Sequence, residues 1–221
     1  MTINNKLKGI ASLVSKNKTV LDLGCDHAYL AIYLAKTNKF LKIIASDSKI
    51  GPLNQARKNI KDNNLTKKIE TRLGNGLEVY TNDIDTVIIS GMGGRNIKGI
   101  LRSDLAKTKN VSTYIISPNN YQSEIKRYLV SIGYKIEDEL LVKDSKIIYQ
   151  IIRFTKGRKR YTNKEYFFGP ILLTKKDNLF KEYYQKELLS REILLNILPK
   201  SYFYKRFITK REIKMLKKEL N

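Results

Sequence analysis

The chain has 221 residues, with 43 Lys+Arg against 21 Asp+Glu, a formal net charge of +22. At 42% hydrophobic residues it has enough apolar content for a packed core, which excludes a disordered chain. No run reaches the roughly 18 uncharged apolar residues of a membrane span, and residues 1–6 show no signal-peptide pattern, so a cytoplasmic protein is expected. The single Cys25 excludes a disulfide framework, and with the single His27 it leaves no metal site to expect.

The amphipathic spacing of Ile3, Leu7, Ile10, Leu13 and Val14 predicts a short first helix. Apolar runs at 19–24 and 41–47 read as strands, with a helix over 27–37 between them and another from about Pro52 to Asn63. Strands follow at 69–73, 84–90 and 113–117, with helices near 95–106 and 121–131. This alternation implies right-handed crossovers and an α/β, Rossmann-like, mostly parallel sheet. Runs at 134–142 and 146–154 have only Lys143-Asp144-Ser145 between them, so they form an antiparallel hairpin at the sheet edge. The pattern changes at Lys156-Gly157-Arg158-Lys159-Arg160, which divides the chain into 1–157 and 158–221. Gly169-Pro170 opens one long helix that ends at Pro199. A second helix follows it, making a helical hairpin, or coiled coil.

Lys, Asn and Ile are all abundant, as an AT-rich genome would produce, so total charge alone says little. Its distribution says more. Residues 156–221 carry 18 basic and 7 acidic side chains, and residues 1–155 carry 25 and 14, so each part has a net charge of +11. Concentrating the same charge on fewer than half as many residues fits a phosphate-tracking surface.

Ligands of open α/β sheets bind at the carboxyl ends of the strands. Asp22 and Gly24 close the first strand there, but the dinucleotide fingerprint G-x-G-x-x-G is missing, which disfavours a nicotinamide cofactor. Asp22 brings negative charge, which opposes a pyrophosphate and suits an ammonium or a sulfonium. That preference points to S-adenosylmethionine. Asp47, 23 residues after Gly24, has two jobs open to it: accepting from ribose hydroxyls or capping the next helix. Gly74-Asn75-Gly76 ends the third strand where an adenine would lie. Gly91-Met92-Gly93-Gly94 leaves backbone groups exposed beside the reactive end of the ligand. In Ser117-Pro118-Asn119-Asn120-Tyr121, Asn119 and Asn120 can read an adenine edge and Tyr121 can stack on a base, or the loop only caps a helix. Cys25 reads as a small buried residue, and Tyr29 either packs or covers the cofactor.

Together these residues resemble the class I S-adenosylmethionine-dependent methyltransferases. More narrowly, D-L-G-C-D-H-A-Y-L (22–30), G-N-G-L (74–77), S-G-M-G-G (90–94), S-P-N (117–119) and F-G-P-x-L (168–172) resemble the bacterial tRNA (adenine(22)-N1)-methyltransferase family. The resemblance spans essentially the whole chain. It implies a methyltransferase domain with a helical tail, and transfer of a methyl group to N1 of an adenine in tRNA. Carried over, it puts Gly24, Asp26 and His27 along the cofactor, Asp47 on the ribose, and Asn75, Met92 and Gly93 around the adenosyl and methionyl parts; Asp22, Cys25 and Gly76 complete the expected cofactor set, and Asp26 and Asn119 are the catalytic candidates. The RNA contacts expected are Asn119, Asn120, Tyr121, Lys159, Arg160, Lys175, Lys205 and Arg206, on a monomer. Gly-Met-Gly-Gly stands where amino-nitrogen methyltransferases carry Asn/Asp-Pro-Pro-aromatic, which fits a ring-nitrogen target. Methylation of another RNA, or RNA binding by a relic cofactor fold, are the competing readings.

Overall fold

The computed structural model describes residues 3–220. Seven strands form one sheet: β1 (Thr19–Leu23), β2 (Lys42–Asp47), β3 (Ile69–Leu73), β4 (Thr86–Ser90), β5 (Thr113–Ser117), β6 (Tyr134–Asp144) and β7 (Ile147–Lys156). Their order is β3-β2-β1-β4-β5-β7-β6. The first five pair in parallel, and β6–β7 is the expected antiparallel edge hairpin. The chain winds outward from β1 through β2 and β3, then returns to place β4 on the other side of β1. That reversal opens a crevice at the carboxyl ends of β1 and β4.

The sheet is covered on both faces, and its strand sequences show why. In a strand, neighbouring side chains point to opposite faces. Val20, Ile43, Ile88, Ile115 and Ile151 pack under α1 (Asn5–Ser12), α2 (Tyr29–Lys36) and α3 (Ile50–Asp62). Their immediate neighbours Leu21, Ile44, Ile89, Ile116 and Ile152 pack under α4 (Gly94–Ser103) and α6 (Gln122–Ser131) on the other face. Paired apolar residues are therefore the mark of a strand buried on both sides.

Three helical expectations need correction. The helix near 95–106 is two, α4 and α5 (Leu105–Asn110), because the Asp104 side chain accepts from the Lys107 N–H (2.9 Å) and starts a new helix. The single long helix from 170 is also two. Lys176 adopts a left-handed conformation after α8 (Pro170–Lys175), and Asp177 caps α9 (Asn178–Ile197) by accepting from the Phe180 N–H (2.8 Å). The basic stretch also leads into an extra helix, α7 (Asn163–Phe168), started by a Thr162–Glu165 capping box. α9 and α10 (Phe203–Leu220) form the hairpin, joined by Arg191–Glu212 and Glu192–Lys217 ion pairs. Phe168, Leu172, Phe180, Tyr184 and Leu216 give this arm its own small apolar cluster.

A β-bulge joins arm to sheet. Between Ile136 and Asp138 the register of β6 slips, so Glu139 turns to the face that Tyr134 and Ile136 already occupy. There, fully buried, its carboxylate pairs with Lys126 of α6 (3.0 Å) and accepts from Gln150 (3.2 Å) and the Ile171 backbone N–H (3.1 Å). Burial lowers the pKa of Lys126, and Glu139 opposes that shift. Removing one partner strands a buried charge, so Glu139→Ala should cost about 3–5 kcal/mol in urea unfolding, while the Lys126→Met/Glu139→Gln double variant loses less.

Candidate active site

The end of β1 is shaped by backbone geometry. Gly24 sits at φ +71°, and the N–H groups of Gly24 and Cys25 both donate to the Ser46 carbonyl (2.9 Å each), binding the β1 turn to β2. Asp26 and Ala28 also adopt left-handed conformations, so the chain coils tightly before α2. The Asn59 side chain of α3 donates to the His27 carbonyl (2.9 Å) and steadies that coil. A Cβ on Gly24 would collide with the Met92 side chain.

Two adjoining depressions of about 450 and 370 Å³ run along the carboxyl ends of β1, β2 and β4, and both are walled by Gly24, Asp47, Ser48 and Met92. The first also meets Asp22, Cys25, Asp26, His27, Tyr29 and Gly91. The second meets Gly74, Asn75, Gly76, Asn96 and Ile100. The structure thus gathers nine of the ten cofactor candidates into one crevice. Gly93 is the exception: it begins α4, and its carbonyl accepts from the Ile97 N–H.

Asp22 is the electrostatic centre of the crevice. It is buried, and burial alone pushes its carboxyl up to about 7. A carboxylate in that setting gains most from a cationic ligand. Asp22, Asp47 and Asn75 follow one another along the two depressions, a set that fits the cation, ribose and adenine of S-adenosylmethionine. Asp47 walls both depressions, as a ribose acceptor would, and one of its oxygens accepts from the N–H of Lys49 (3.0 Å), the residue that itself stands at the start of α3 with no side-chain cap. Burial and the neighbouring Asp22 and Asp47 push the Cys25 thiol upward, which makes it a wall residue and not a nucleophile. His27 stacks on Tyr29 (5.2 Å between ring centres) and lies 3.5 Å from Asp26.

The glycine loop after β4 is tied to its neighbour. Gly91 and Met92 line the crevice, but part of the loop's backbone is bonded to the loop after β5. Gly91 N–H donates to Ser117 (3.2 Å), Asn119 donates to the carbonyls of Gly91 and Met92 (2.9 Å each), and Gly94 N–H donates to the Asn120 side chain (2.9 Å). Glycine is needed at 94 because a Cβ would strike the Asn120 carbonyl. Asn120 is therefore a cap of α4, while Asn119 keeps its side-chain oxygen as an acceptor.

On the far side of these two loops a cavity of about 670 Å³ opens between the sheet and the arm, walled by Asn119, Tyr121, Tyr149, Phe167, Tyr183 and Arg191 among others. Neither this cavity nor Lys6, whose ammonium lies 4.5 Å from the Tyr149 ring centre, is visible in the sequence pattern, because residues far apart in the chain build it. Arg206 is reassigned. Its guanidinium donates to the Leu195 and Leu198 carbonyls (2.9 and 2.5 Å) and closes the end of α9, a job for a cation at a helix C-terminus. Lys175 lies 3.9 Å from Asp138, Lys159 faces the Tyr161 ring, and Arg160 and Lys205 are exposed.

A doubly covered sheet of this order, with carboxylates ending β1 and β2 around such a crevice, defines a class I S-adenosylmethionine-dependent methyltransferase. Residues 20–219 match the TrmK family model, described as tRNA (adenine(22)-N(1))-methyltransferase, and the chain belongs to that family. A Bacillus subtilis tRNA (adenine(22)-N(1))-methyltransferase is 26% identical over 195 residues, covering 85% of this chain and 82% of the relative. M. capricolum TrmK, solved with S-adenosyl-homocysteine, superposes with a TM-score of 0.86 at 30% identity, covering 100% of this chain and 98% of that one. A Streptococcus pneumoniae structure in complex with S-adenosyl-L-methionine superposes at 0.91 with 31% identity, each chain covered in full.

Two outcomes test the crevice. Gly24→Ala, strained at φ +71° and crowded by Met92, should abolish cofactor binding in calorimetry while the circular dichroism spectrum is kept. Asp22 has a folded pKa raised from 3.8 to about 7, so its stability contribution is full below pH 3.8 and is lost as pH rises through 7. The unliganded Asp22→Asn variant should therefore melt several degrees above wild type at pH 8, with the two converging near pH 4.

Proposed function

We propose a division of labour for a reaction in which a methyl group passes from S-adenosylmethionine to N1 of adenine 22 of tRNA. The observation that carries it is the buried carboxylate of Asp22 at a crevice whose other walls suit a nucleoside. When bound, the cofactor supplies an electrophilic methyl group on a sulfonium. Asp22 supplies the opposite charge, the free oxygen of Asp47 accepts from the ribose, and Asn75 and Gly76 border the adenine.

The substrate adenine enters from the arm side, through the cavity beyond Asn119. N1 of neutral adenine has a lone pair, so the chain need not remove a proton before attack. Catalysis then rests on placing that lone pair in line with the methyl group. N1 lies on the Watson–Crick edge, so the base must leave its pair or stack, and the aromatic walls of the cavity compensate for the lost stacking. The Asn119 side-chain oxygen accepts from the N6 amino group and orients the ring. Methylation leaves the base cationic, and Asp26, which lines the crevice with an exposed side chain, stabilises that charge or accepts a proton from N6. The arm, residues 158–221, tracks the phosphate backbone through Lys159, Arg160, Lys175 and Lys205. The reading needs one copy of the chain and a cytoplasmic setting.

Incubation with labelled cofactor and unmodified tRNA, followed by nuclease digestion and mass spectrometry, should place the methyl group on N1 of adenine 22. A tRNA with guanine at that position should stay unlabelled. Asp26→Asn should lower turnover roughly ten-fold with both substrates saturating, and full turnover in that variant would remove Asp26 from the mechanism.

A further inference from the structure

The turn between α9 and α10 carries more exposed aromatic surface than any fold requirement explains. Phe203 and Tyr204 are each 77% exposed, Phe207 57% and Tyr202 56%. Ile197, at the end of α9, is 72% exposed beside them. Four rings and an aliphatic side chain clustered on one turn mark an interaction surface.

Charge identifies the partner. From Ile193 to Arg211 the chain has five basic residues and no acidic one. Arg206 closes the turn, but Lys200, Lys205, Lys210 and Arg211 are exposed, and Arg211 lies over the Phe207 ring at 5.8 Å. Cations interleaved with free aromatic faces answer the two needs of an unpaired nucleotide, a neutralised phosphate and a stacked base. A duplex offers only the first.

We propose that this turn is a second RNA-binding site, which stacks Phe203 and Phe207 on unpaired bases of the same tRNA whose adenine is methylated. The inference rests on the tRNA reading above and extends it. Arg191 on α9 and Glu212 on α10 border the 670 Å³ cavity, and at 1.5 Å per residue Ile197, Phe207 and Phe203 lie roughly 9, 8 and 14 Å further along these helices. The turn lies outside that cavity, so the bases it holds are unpaired nucleotides other than the target base.

The test uses the full chain with Phe203→Ala/Phe207→Ala. Its affinity for unmodified tRNA should fall about ten-fold or more, while affinity for an RNA duplex with the same number of phosphates stays within two-fold. The dependence of binding on salt should keep its slope, because no phosphate contact is lost. KM for tRNA should rise with kcat and cofactor affinity unchanged, and Phe203→Trp/Phe207→Trp should restore binding. Unchanged tRNA affinity, or an equal loss on duplex, overturns the proposal. So does sedimentation showing that wild type self-associates through this turn, or wild-type binding to phosphatidylserine vesicles that the alanine variant loses. Wild-type methylation of tRNA is measured alongside. If it is present and the variant's KM does not move, only this site falls; if it is absent, the tRNA reading itself falls.

Discussion

The carboxylate of Glu139 meets Lys126 from α6, Gln150 from β7 and the Ile171 backbone at the entry to α8, all out of reach of water. A charge so placed is tolerated only when its acceptor sites are matched, so the three segments must hold one relative arrangement. Gly169 belongs to the same constraint, since any Cβ there would run into that carboxylate. Tyr184 adds a bond to the Phe168 carbonyl (2.6 Å), and Glu219 gathers Lys164 and Lys176. The arm is thereby set against the sheet edge nearest the loop after β5. That placement forms the 670 Å³ cavity beside the Asn119 loop.

The crevice itself follows from a different constraint, the reversal of strand order at β1. Loops after β1 and β4 diverge there, and each is bound to a neighbouring strand end: the β1 turn to Ser46, the β4 loop to Ser117 and Asn119. The 91–94 loop borders the crevice, and the Asn119 loop bonded to it borders the 670 Å³ cavity. A shift in the Asn119 loop therefore reaches Gly91 and Met92 directly, and under the proposed function that bond would couple base positioning to cofactor geometry.

Much of this was legible in one dimension. Pairs such as Ile43-Ile44 and Ile88-Ile89 reveal strands buried on both faces, because only a doubly covered sheet hides consecutive side chains. Asp22, Gly24 and Asp47 lie at strand ends, and in a parallel sheet strand ends converge, so their spacing was enough to group them. Asp104 and Asp177 were less legible. Each sits inside an apolar rhythm that suits a continuous helix, and only the side-chain bond back to the following turn shows that it starts a new one. Arg206 reads from sequence as one more cation for RNA, because which carbonyls lie beside it depends on how the hairpin closes.

The amino-acid order by itself determined the strand and helix alternation, the carboxylates at the ends of β1 and β2, and the basic excess of the last 66 residues. These are local or periodic properties, and each is carried by residues close together in the chain. Tertiary structure alone decided that a bulge turns Glu139 inward to meet Lys126, that Asn119 ties down Gly91, and that four aromatic rings stay in water at the hairpin turn. Each of those depends on which distant segments share a surface, and that is settled only when the whole sheet and arm have packed.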